Sequence, residues 1–526
     1  MYREKERLFG TDGIRGTAGV YPLTDGMIFK IGYSIAHLLY YKYPAKDSLK
    51  VVIGKDTRLS SPKIEMILKE AISSSGIDVI LCGIIPTPGL GYIVKRLEAQ
   101  IGIMISASHN RSQDNGIKFF DEKGEKLSFQ DEEWIEDIIF NNLVHTFYRW
   151  PSSKKGELIY FDDAVKLYLE FLQSISLNLN LEGLKICLDC GWGAVSLVAK
   201  ELFKGLGAQV YSFADSFCGE RINETGALNP YMLKRIVLEK RADIGFAFDG
   251  DGDRLIVIDN EGNILDGDYI LAILADYLLK QGKLSKNTVV VTKMSNYGLK
   301  EFLEKRGIKV IFTSVGDRYV WRKLVDEDLN LGGEQSGHII LRDFVSSPDA
   351  LVCALFITKI IKEKPLNELI QDMQKYPQVL VNVKVKEKIP FVDSIIIHYE
   401  PVEKKVLKYA FPLTSTSGNI SHHFGEAPYL AVLEVKKDEK QVVKKEILVN
   451  PFLNQEKGKG IALAEFLVDQ DVDFVVLKEK YKGKGPEYVL AESAVTTIII
   501  DSSTLKEAMT ELGIKELNEK RERQPN

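Results

Sequence analysis

Short runs of β-branched and aliphatic residues recur along the chain, each ending in a Gly- or Ser-rich turn and followed by a helix-length amphipathic stretch. Val51-Val52-Ile53 runs into Gly54-Lys55-Asp56, Ile101 to Ile105 into Ser106-Ala107-Ser108, Leu184 to Leu188 into Asp189-Cys190-Gly191, and Thr288 to Val291 into Thr292-Lys293-Met294. Strands that alternate with helices predict α/β units with mainly parallel pairing. Ligands of such sheets meet the loops beyond the strand carboxyl ends. The most polar, Gly-rich loops of this chain fall there, and no solenoid-type period is present.

With 526 residues the chain exceeds a single hydrophobic core, and three or four domains are expected. The polar stretch Trp150 to Gly156 ends a first domain, 1–150. A second, 157–258, stops before the hairpin-like Asp259-Asn260-Glu261-Gly262-Asn263, and a third, 259–375, closes around Lys362 to Pro377. A strand and linker occupy 376–407, a different α/β segment spans 408–517, and a charged tail fills 518–526.

The formal net charge is −5, from 69 basic and 74 acidic residues, and no basic face or block marks a nucleic-acid partner. The start, Met-Tyr-Arg-Glu-Lys-Glu-Arg, has no apolar segment of a signal peptide. The longest apolar run, around Leu351 to Ile361, is too short to span a bilayer, so no membrane role is expected. Five cysteines are few and odd in number, which disfavours a disulfide framework and points to a reducing cytoplasm. Cys187 and Cys190 form a Cys-x-x-Cys with no second pair, in an apolar strand-like run, and read as structural residues.

Three loops carry chemistry. Ile105-Ser106-Ala107-Ser108-His109-Asn110 places a serine on a surface loop at a strand exit, followed by Asp114-Asn115-Gly116-Ile117-Lys118. Such a serine is a nucleophile if its oxyanion is neutralised; no Gly-x-Ser-x-Gly elbow is present, and a plain polar turn is the simpler reading of this loop alone. Asp249-Gly250-Asp251-Gly252-Asp253-Arg254 sits between the apolar strands Ile244 to Phe248 and Leu255 to Ile258. Three converging carboxylates imply a hard, oxygen-loving cation. An EF-hand fails, because loop positions six and twelve are Arg254 and Asn260 rather than Gly and Glu. Arg254 suits an anion bridging to the metal. Gly332-Gly333-Glu334-Gln335-Ser336-Gly337-His338 offers carboxylate, hydroxyl, amide and imidazole, a polyol-binding set or a plain turn. Gly316-Asp317-Arg318 adds a compact polar turn. Phe9 to Gly16 is Gly-rich without a Walker ending and supplies Arg15, and Gly54 to Ser60 offers Lys55 and Arg58 as two further cations.

In this order the loops resemble the α-D-phosphohexomutase family over about residues 7–388. The resemblance implies three similar mixed-sheet α/β domains around a cleft. It implies Ser108 as phosphoserine and, with His109, Arg15 and Lys118, as the catalytic set. Ser108, Asp249, Asp251 and Asp253 would hold one Mg2+. Glu334, Ser336, His338, Arg254 and Arg318 would meet a sugar phosphate, with a sugar bisphosphate as activator. The wording Ile-Ser-Ala-Ser-His-Asn and Gly-Glu-Gln-Ser-Gly-His is nearest the phosphoglucosamine branch, which implies interconversion of glucosamine 6-phosphate and glucosamine 1-phosphate. The alternatives are a mannose or glucose phosphate mutase, or a mutase core reused for binding or regulation.

Family members carry a fourth domain with an Arg-x-Ser-Gly-Thr-Glu-Pro phosphate clamp. Tyr376 to Lys386 is similar to its opening strand, but no clamp follows; Thr414 to Asn419 is a faint echo without the Arg. Instead, His423-Phe424-Gly425-Glu426-Ala427, Asn450-Pro451-Phe452, Gly458-Lys459-Gly460-Ile461 and Val472-Asp473-Phe474-Val475 resemble the dinitrogenase iron-molybdenum cofactor biosynthesis family. That implies a ribonuclease-H-like α/β domain and a metal or cluster ligand, for which His422-His423 is a candidate, surface residues being the plainer reading.

Overall fold

The computed structural model describes residues 7–46, 48–141, 155–176, 179–378, 406–455, 458–470, 472–479, 486, 489–490 and 495–516. The chain divides into two compact units, residues 1–382 and 383–526. The expected strand beyond Gln378, most of the first seam, much of Lys478 to Lys484 and the tail lie outside the described residues.

The first unit contains three sheets. The first is ordered β1-β5-β4-β2-β3-β6, from β1 (Ile14–Thr17), β2 (Lys50–Lys55), β3 (Asp78–Ile84), β4 (Ile101–Ile105), β5 (Asp114–Asp121) and β6 (Leu158–Tyr160). The second is ordered β11-β10-β9-β7-β8, from β7 (Lys185–Asp189), β8 (Gln209–Phe213), β9 (Ile244–Phe248), β10 (Leu255–Asp259) and β11 (Ile264–Leu265). The third is ordered β13-β12-β14-β15, from β12 (Thr288–Thr292), β13 (Lys309–Thr313), β14 (Leu331–Gly333) and β15 (Ile339–Leu341).

All three sheets are mixed and share one plan. A leading strand (β2, β7, β12) has parallel neighbours on both sides, and the later neighbour (β4, β9, β14) pairs antiparallel with the strand that follows it (β5, β10, β15). The central parallel strands β2, β9 and β12 are buried on both faces, which accounts for their continuous apolar runs.

Strand pairing crosses two of the expected boundaries. β6 lies beyond the first seam yet pairs with β3 (Val79↔Leu158), and β11, past the second boundary, closes a hairpin on β10 (Ile258↔Ile264). In both cases backbone hydrogen bonding extends the sheet past the polar turn that marks a break in the sequence.

Helices cover the sheets. The helix Asp25–Lys42 begins at Thr24, whose hydroxyl accepts from the Met27 N–H. The long apolar run forms the helix Ala350–Ile361, capped by Asp349 accepting from the Leu351 and Val352 N–H groups. It is apolar nearly all round because it sits inside the core joining the second and third sheets, packed on the helix Gly267–Lys280, β10 and β15. Cys187 and Cys190 are both free and buried, in two different apolar clusters. No helix among the described residues is long and apolar enough to cross a membrane.

The second unit has a five-stranded sheet ordered β18-β17-β16-β19-β20, from β16 (Val406–Leu413), β17 (Tyr429–Lys436), β18 (Gln441–Val449), β19 (Phe474–Leu477) and β20 (Thr496–Ile499). The first three strands form an antiparallel meander and the last two pair parallel, the ribonuclease-H-like arrangement.

Candidate active site

The three polar loops are one structural position used three times. Each joins the later parallel neighbour of the leading strand to the antiparallel strand beside it: β4 to β5 carries Ser108, β9 to β10 carries Asp249 to Arg254, and β14 to β15 carries Glu334 to His338. Their residues touch. Ser108 Oγ donates to Asp249 Oδ2 at 2.7 Å, and His338 Nε2 lies 3.0 Å from Asp253 Oδ1.

Ser108 is fully buried, not on a surface loop as its polar neighbours suggest, and its backbone is left-handed with φ +51°. That conformation is disfavoured for a residue with a Cβ and clusters at functional sites. His109 Nδ1 lies 3.3 Å from Ser108 Oγ. Burial, aided by Arg254 and Arg15, lowers the His109 pKa to about 3, so its imidazole is neutral.

In the acidic loop, Asp249, Asp251 and Asp253 bring ligand oxygens within 4.8 Å of one another. The turn depends on Gly252 at φ +76°, and Asp249 Oδ1 accepts from the Gly252 and Arg254 N–H groups at 3.1 Å each. Burial, then repulsion from Asp253 and Asp251, pushes the Asp249 carboxyl well above the usual range. Burial acts the same way on Asp253, but Lys118 and His338 outweigh it and hold this group well below. Lys118 Nζ lies 2.8 Å from Asp251 Oδ2, 2.9 Å from Asp253 Oδ2 and 3.1 Å from Asp12 Oδ2. Thr87 Oγ1 donates to Asp251 Oδ2 at 2.5 Å, while Asp251 Oδ1 is buried with no hydrogen-bond partner among the described residues. Clustered buried carboxylates, one with an orphan oxygen, fit a hard divalent cation.

The third loop is tied to the second through His338. Its Nδ1 lies 2.8 Å from Glu334 Oε2, and Glu334 Oε1 accepts from the Gly316 N–H at 2.8 Å. Burial opposes charge on this imidazole, but Asp253 prevails and raises its pKa to about 10. Arg15 pairs with Asp12 and reaches Asn110 Oδ1 at 3.4 Å. Over these groups opens a cavity of about 480 Å³ whose wall includes Arg15, His109, Arg254, Glu334, Ser336 and His338.

Two expected cations are placed elsewhere. Arg318 does not face that cavity: both terminal nitrogens bind Glu132, and its guanidinium stacks over Phe129 at 4.4 Å, fastening the third domain to the first. Arg58 is fully buried and spends its guanidinium on Asp56 and on loop carbonyls. The acceptors that hold them in place, Glu132 for Arg318 and the carbonyls of Ser108, Asn110 and Asp114 for Arg58, lie far along the chain from these two turns.

Sequence reasoning missed Asp12, Lys126, Thr87 and Asn223. Asp12 pairs with Lys118, Lys126 and Arg15, and Lys126 bridges to Asp317 at 2.6 Å. Burial alone would raise the Asp12 pKa, yet Lys118, Lys126 and Arg15 hold it well below the carboxylate range. The available signal was an acid three residues before Arg15 in a Gly-rich run. Thr87 and Asn223 carry no local signal.

Residues 6–145, 166–262 and 266–376 match the phosphoglucomutase/phosphomannomutase alpha/beta/alpha domains I, II and III. Residues 407–513 match the dinitrogenase iron-molybdenum cofactor family. The phosphoglucosamine mutase of Thermodesulfovibrio yellowstonii is 45% identical over 388 residues, 73% of this chain and 85% of that protein. That of a Geobacter species is 41% identical over 438 residues, 82% of this chain and 94% of that protein. The crystal structure of a phosphoglucomutase/phosphomannomutase family protein from Burkholderia thailandensis matches with a TM-score of 0.60 at 24% identity, over 70% of this chain and 80% of that one. Parafusin, a phosphoglucomutase from Paramecium, matches with a TM-score of 0.56 at 19% identity, over 69% and 74%. These structural likenesses carry the fold. By its relatives at 41–45% identity and its three matched domains, the chain belongs to the phosphoglucomutase/phosphomannomutase family of phosphosugar isomerases.

Proposed function

We propose that this chain is a phosphoglucosamine mutase that interconverts glucosamine 6-phosphate and glucosamine 1-phosphate, with Ser108 as the phosphoryl carrier. The observation that carries this reading is a buried serine hydroxyl 2.7 Å from the first carboxylate of a buried acidic triad. The amino-sugar assignment rests on the curated relatives.

In the forward half-reaction the free sugar hydroxyl attacks the phosphorus of phospho-Ser108. A sugar O–P bond forms, the Ser108 Oγ–P bond breaks, and the proton released by the sugar hydroxyl ends on the departing Ser108 Oγ. In the second half, Ser108 Oγ attacks the other phosphate of the reoriented bisphosphate. In that step the Ser108 hydroxyl proton ends on the sugar oxygen that is released, and His109, 3.3 Å from Ser108 Oγ, orients the hydroxyl. Lys118, held as an ammonium by Asp12, Asp251 and Asp253 against its burial, orients the triad. Arg15 and Arg254 face the cavity where phosphate oxygens would lie. His338, held between Glu334 and Asp253, joins Ser336 in meeting sugar hydroxyls. Asp249, Asp251 and Asp253, with the serine phosphate, would hold Mg2+, which when bound neutralises charge developing on the transferring phosphoryl group.

A second reading has one observation in its favour. No arginine occurs between Arg342 and Arg521, so the stretch that replaces the clamp domain supplies no guanidinium for a phosphate. On that reading the core binds a sugar phosphate without turning over. The second unit holds none of the five cysteines, and His422 and His423 are exposed, His422 Nδ1 lying 3.3 Å from Glu479; a metal there would be held by imidazole and carboxylate. Intact-mass measurement of purified protein before and after incubation with glucose 1,6-bisphosphate tests the main reading. It expects one phosphoryl adduct, located on Ser108, and glucosamine 6-phosphate turned over faster than glucose 6-phosphate or mannose 6-phosphate. Binding of sugar phosphate with no adduct supports the second.

A further inference from the structure

We propose that Asn223, seconded by Arg58, is a positioning residue that sets the left-handed turn of Ser108 and its distance from the acidic loop; this rests on Ser108 being the phosphoryl carrier. Asn223 lies on the connection between β8 and β9, far in sequence from both loops. Its Nδ2 donates to the Ser108 carbonyl at 2.8 Å and to the Asn110 carbonyl at 3.0 Å. Its Oδ1 accepts from the Gly250 N–H, inside the acidic loop, at 2.8 Å. Two carbonyls and one N–H leave a single orientation for the amide. One side chain therefore bolts the serine turn of the first domain to the acidic turn of the second.

Arg58 reaches the same two carbonyls from the other side. Its Nη2 donates to Ser108 O at 2.8 Å and Asn110 O at 2.9 Å, Nη1 to Asp114 O at 2.9 Å and to Arg111 O, and Nε to Asp56 at 2.9 Å. The carbonyls of Ser108 and Asn110 are thus each held by two donors, one from each domain. The arrangement has a purpose that packing alone does not require. Ser108 at φ +51° is in a conformation a serine leaves readily, and relaxing it swings Oγ away from Asp249. Asn223 itself is at φ +63°, tolerated by asparagine, and its N–H donates to Gly191 O at 2.9 Å, which anchors the bolt.

The test uses Asn223→Gly, which keeps the left-handed backbone without strain and removes only the amide, beside Asn223→Asp, which keeps the acceptor for Gly250 but faces a carboxylate towards two carbonyls. Single-turnover phosphoryl transfer from glucose 1,6-bisphosphate to Ser108 is followed by intact mass. Amide exchange of the peptide spanning 106–111, the thermal midpoint and the KM for sugar phosphate are measured on the same preparations. The expected result is transfer slowed by about 30-fold or more in both variants, since an error of about 1 Å at a reacting atom costs on the order of a hundredfold. Exchange in the serine turn rises, while KM stays within about twofold and the fold is retained. Arg58→Lys, which keeps the charge and loses the fork, is expected to raise exchange in the same peptide. Transfer within about twofold of the parent, or a rate loss that only tracks a fall in folded fraction, overturns the proposal. If the parent protein takes up no phosphoryl group, the functional reading fails, and the exchange arm still decides whether Asn223 sets the turn.

Discussion

Ser108 is held by side chains from distant parts of the chain: its Oγ donates to Asp249, and its carbonyl accepts from Arg58 and Asn223. Ser108→Ala removes the hydroxyl that donates to Asp249, and steady-state mutase turnover is expected to fall by several orders of magnitude, measured with added glucose 1,6-bisphosphate. Because Ser108 is buried and its Oγ donates to Asp249, the substitution also removes a buried hydrogen bond, so stability falls by about 1–2 kcal/mol rather than the few tenths of an exposed site. A residual rate within about tenfold of the parent would show that another group carries the phosphoryl. Asp251→Asn tests the triad. It removes one of three anionic ligands and one partner of Lys118, so magnesium titration should give weaker binding, by about tenfold or more, with transfer slowed in parallel. Activity that survives excess chelator in the parent protein would refute the metal assignment.

Elements decide how these residues are held. The helix Asp25–Lys42 packs against the helices Ser61–Ser73 and Phe129–Phe140 and buries His37, whose ring meets Tyr33 edge-on at 5.0 Å between centroids. Burial lowers the His37 pKa to about 4 from an ordinary value of 6.5. Below pH 6.5 the unfolded chain binds the proton and the folded chain does not. His37 therefore costs no stability above pH 6.5, and stability is lost progressively as pH falls from 6.5 towards 4, by on the order of 2–3 kcal/mol at the acid end. Urea denaturation at pH 7.5, 6 and 5 should show a shallower decline for His37→Phe than for the parent; parallel declines would remove His37 from the account. The strand runs and the loop order were legible in the sequence because apolar continuity reports burial on both faces and Gly-Asp alternation reports a tight turn. β6 and β11 were not, because two- and three-residue strands carry no periodic signal and owe their pairing to a sheet already formed.

At the scale of the whole molecule the question is the second phosphate. A mutase holds the phosphate that is not reacting, then holds the other after the sugar turns. Each charge-assisted contact to phosphate contributes about 1.5–3 kcal/mol, so losing two weakens binding by roughly 10²- to 10⁴-fold. With no arginine from 343 to 520, the protein is expected to accept a phosphoryl group in a single turnover yet show slow steady-state turnover, with a high KM and bisphosphate released to solution. The comparison is between the full chain and a version ending near Lys388. Similar single-turnover rates in both are expected, since Ser108 and the triad lie within the first unit. Efficient steady-state turnover by the full chain alone would show that the second unit supplies the clamp.

The sequence by itself determined the α/β class, the three strand-exit loops, the acidic triad and the presence of a second family's pattern towards the C-terminal end, because these reside in local pattern: period, spacing and residue type over a few positions. The tertiary structure alone decided that Ser108 is buried, that Arg318 and Arg58 are structural ties, and that Asp12, Thr87 and Asn223 belong to the site. The reason is physical. Whether a charged or polar side chain faces water or a partner depends on acceptors brought beside it from another sheet, such as Glu132 for Arg318 and the Ser108 carbonyl for Asn223, and a linear pattern holds no record of which distant backbone group folding will place there.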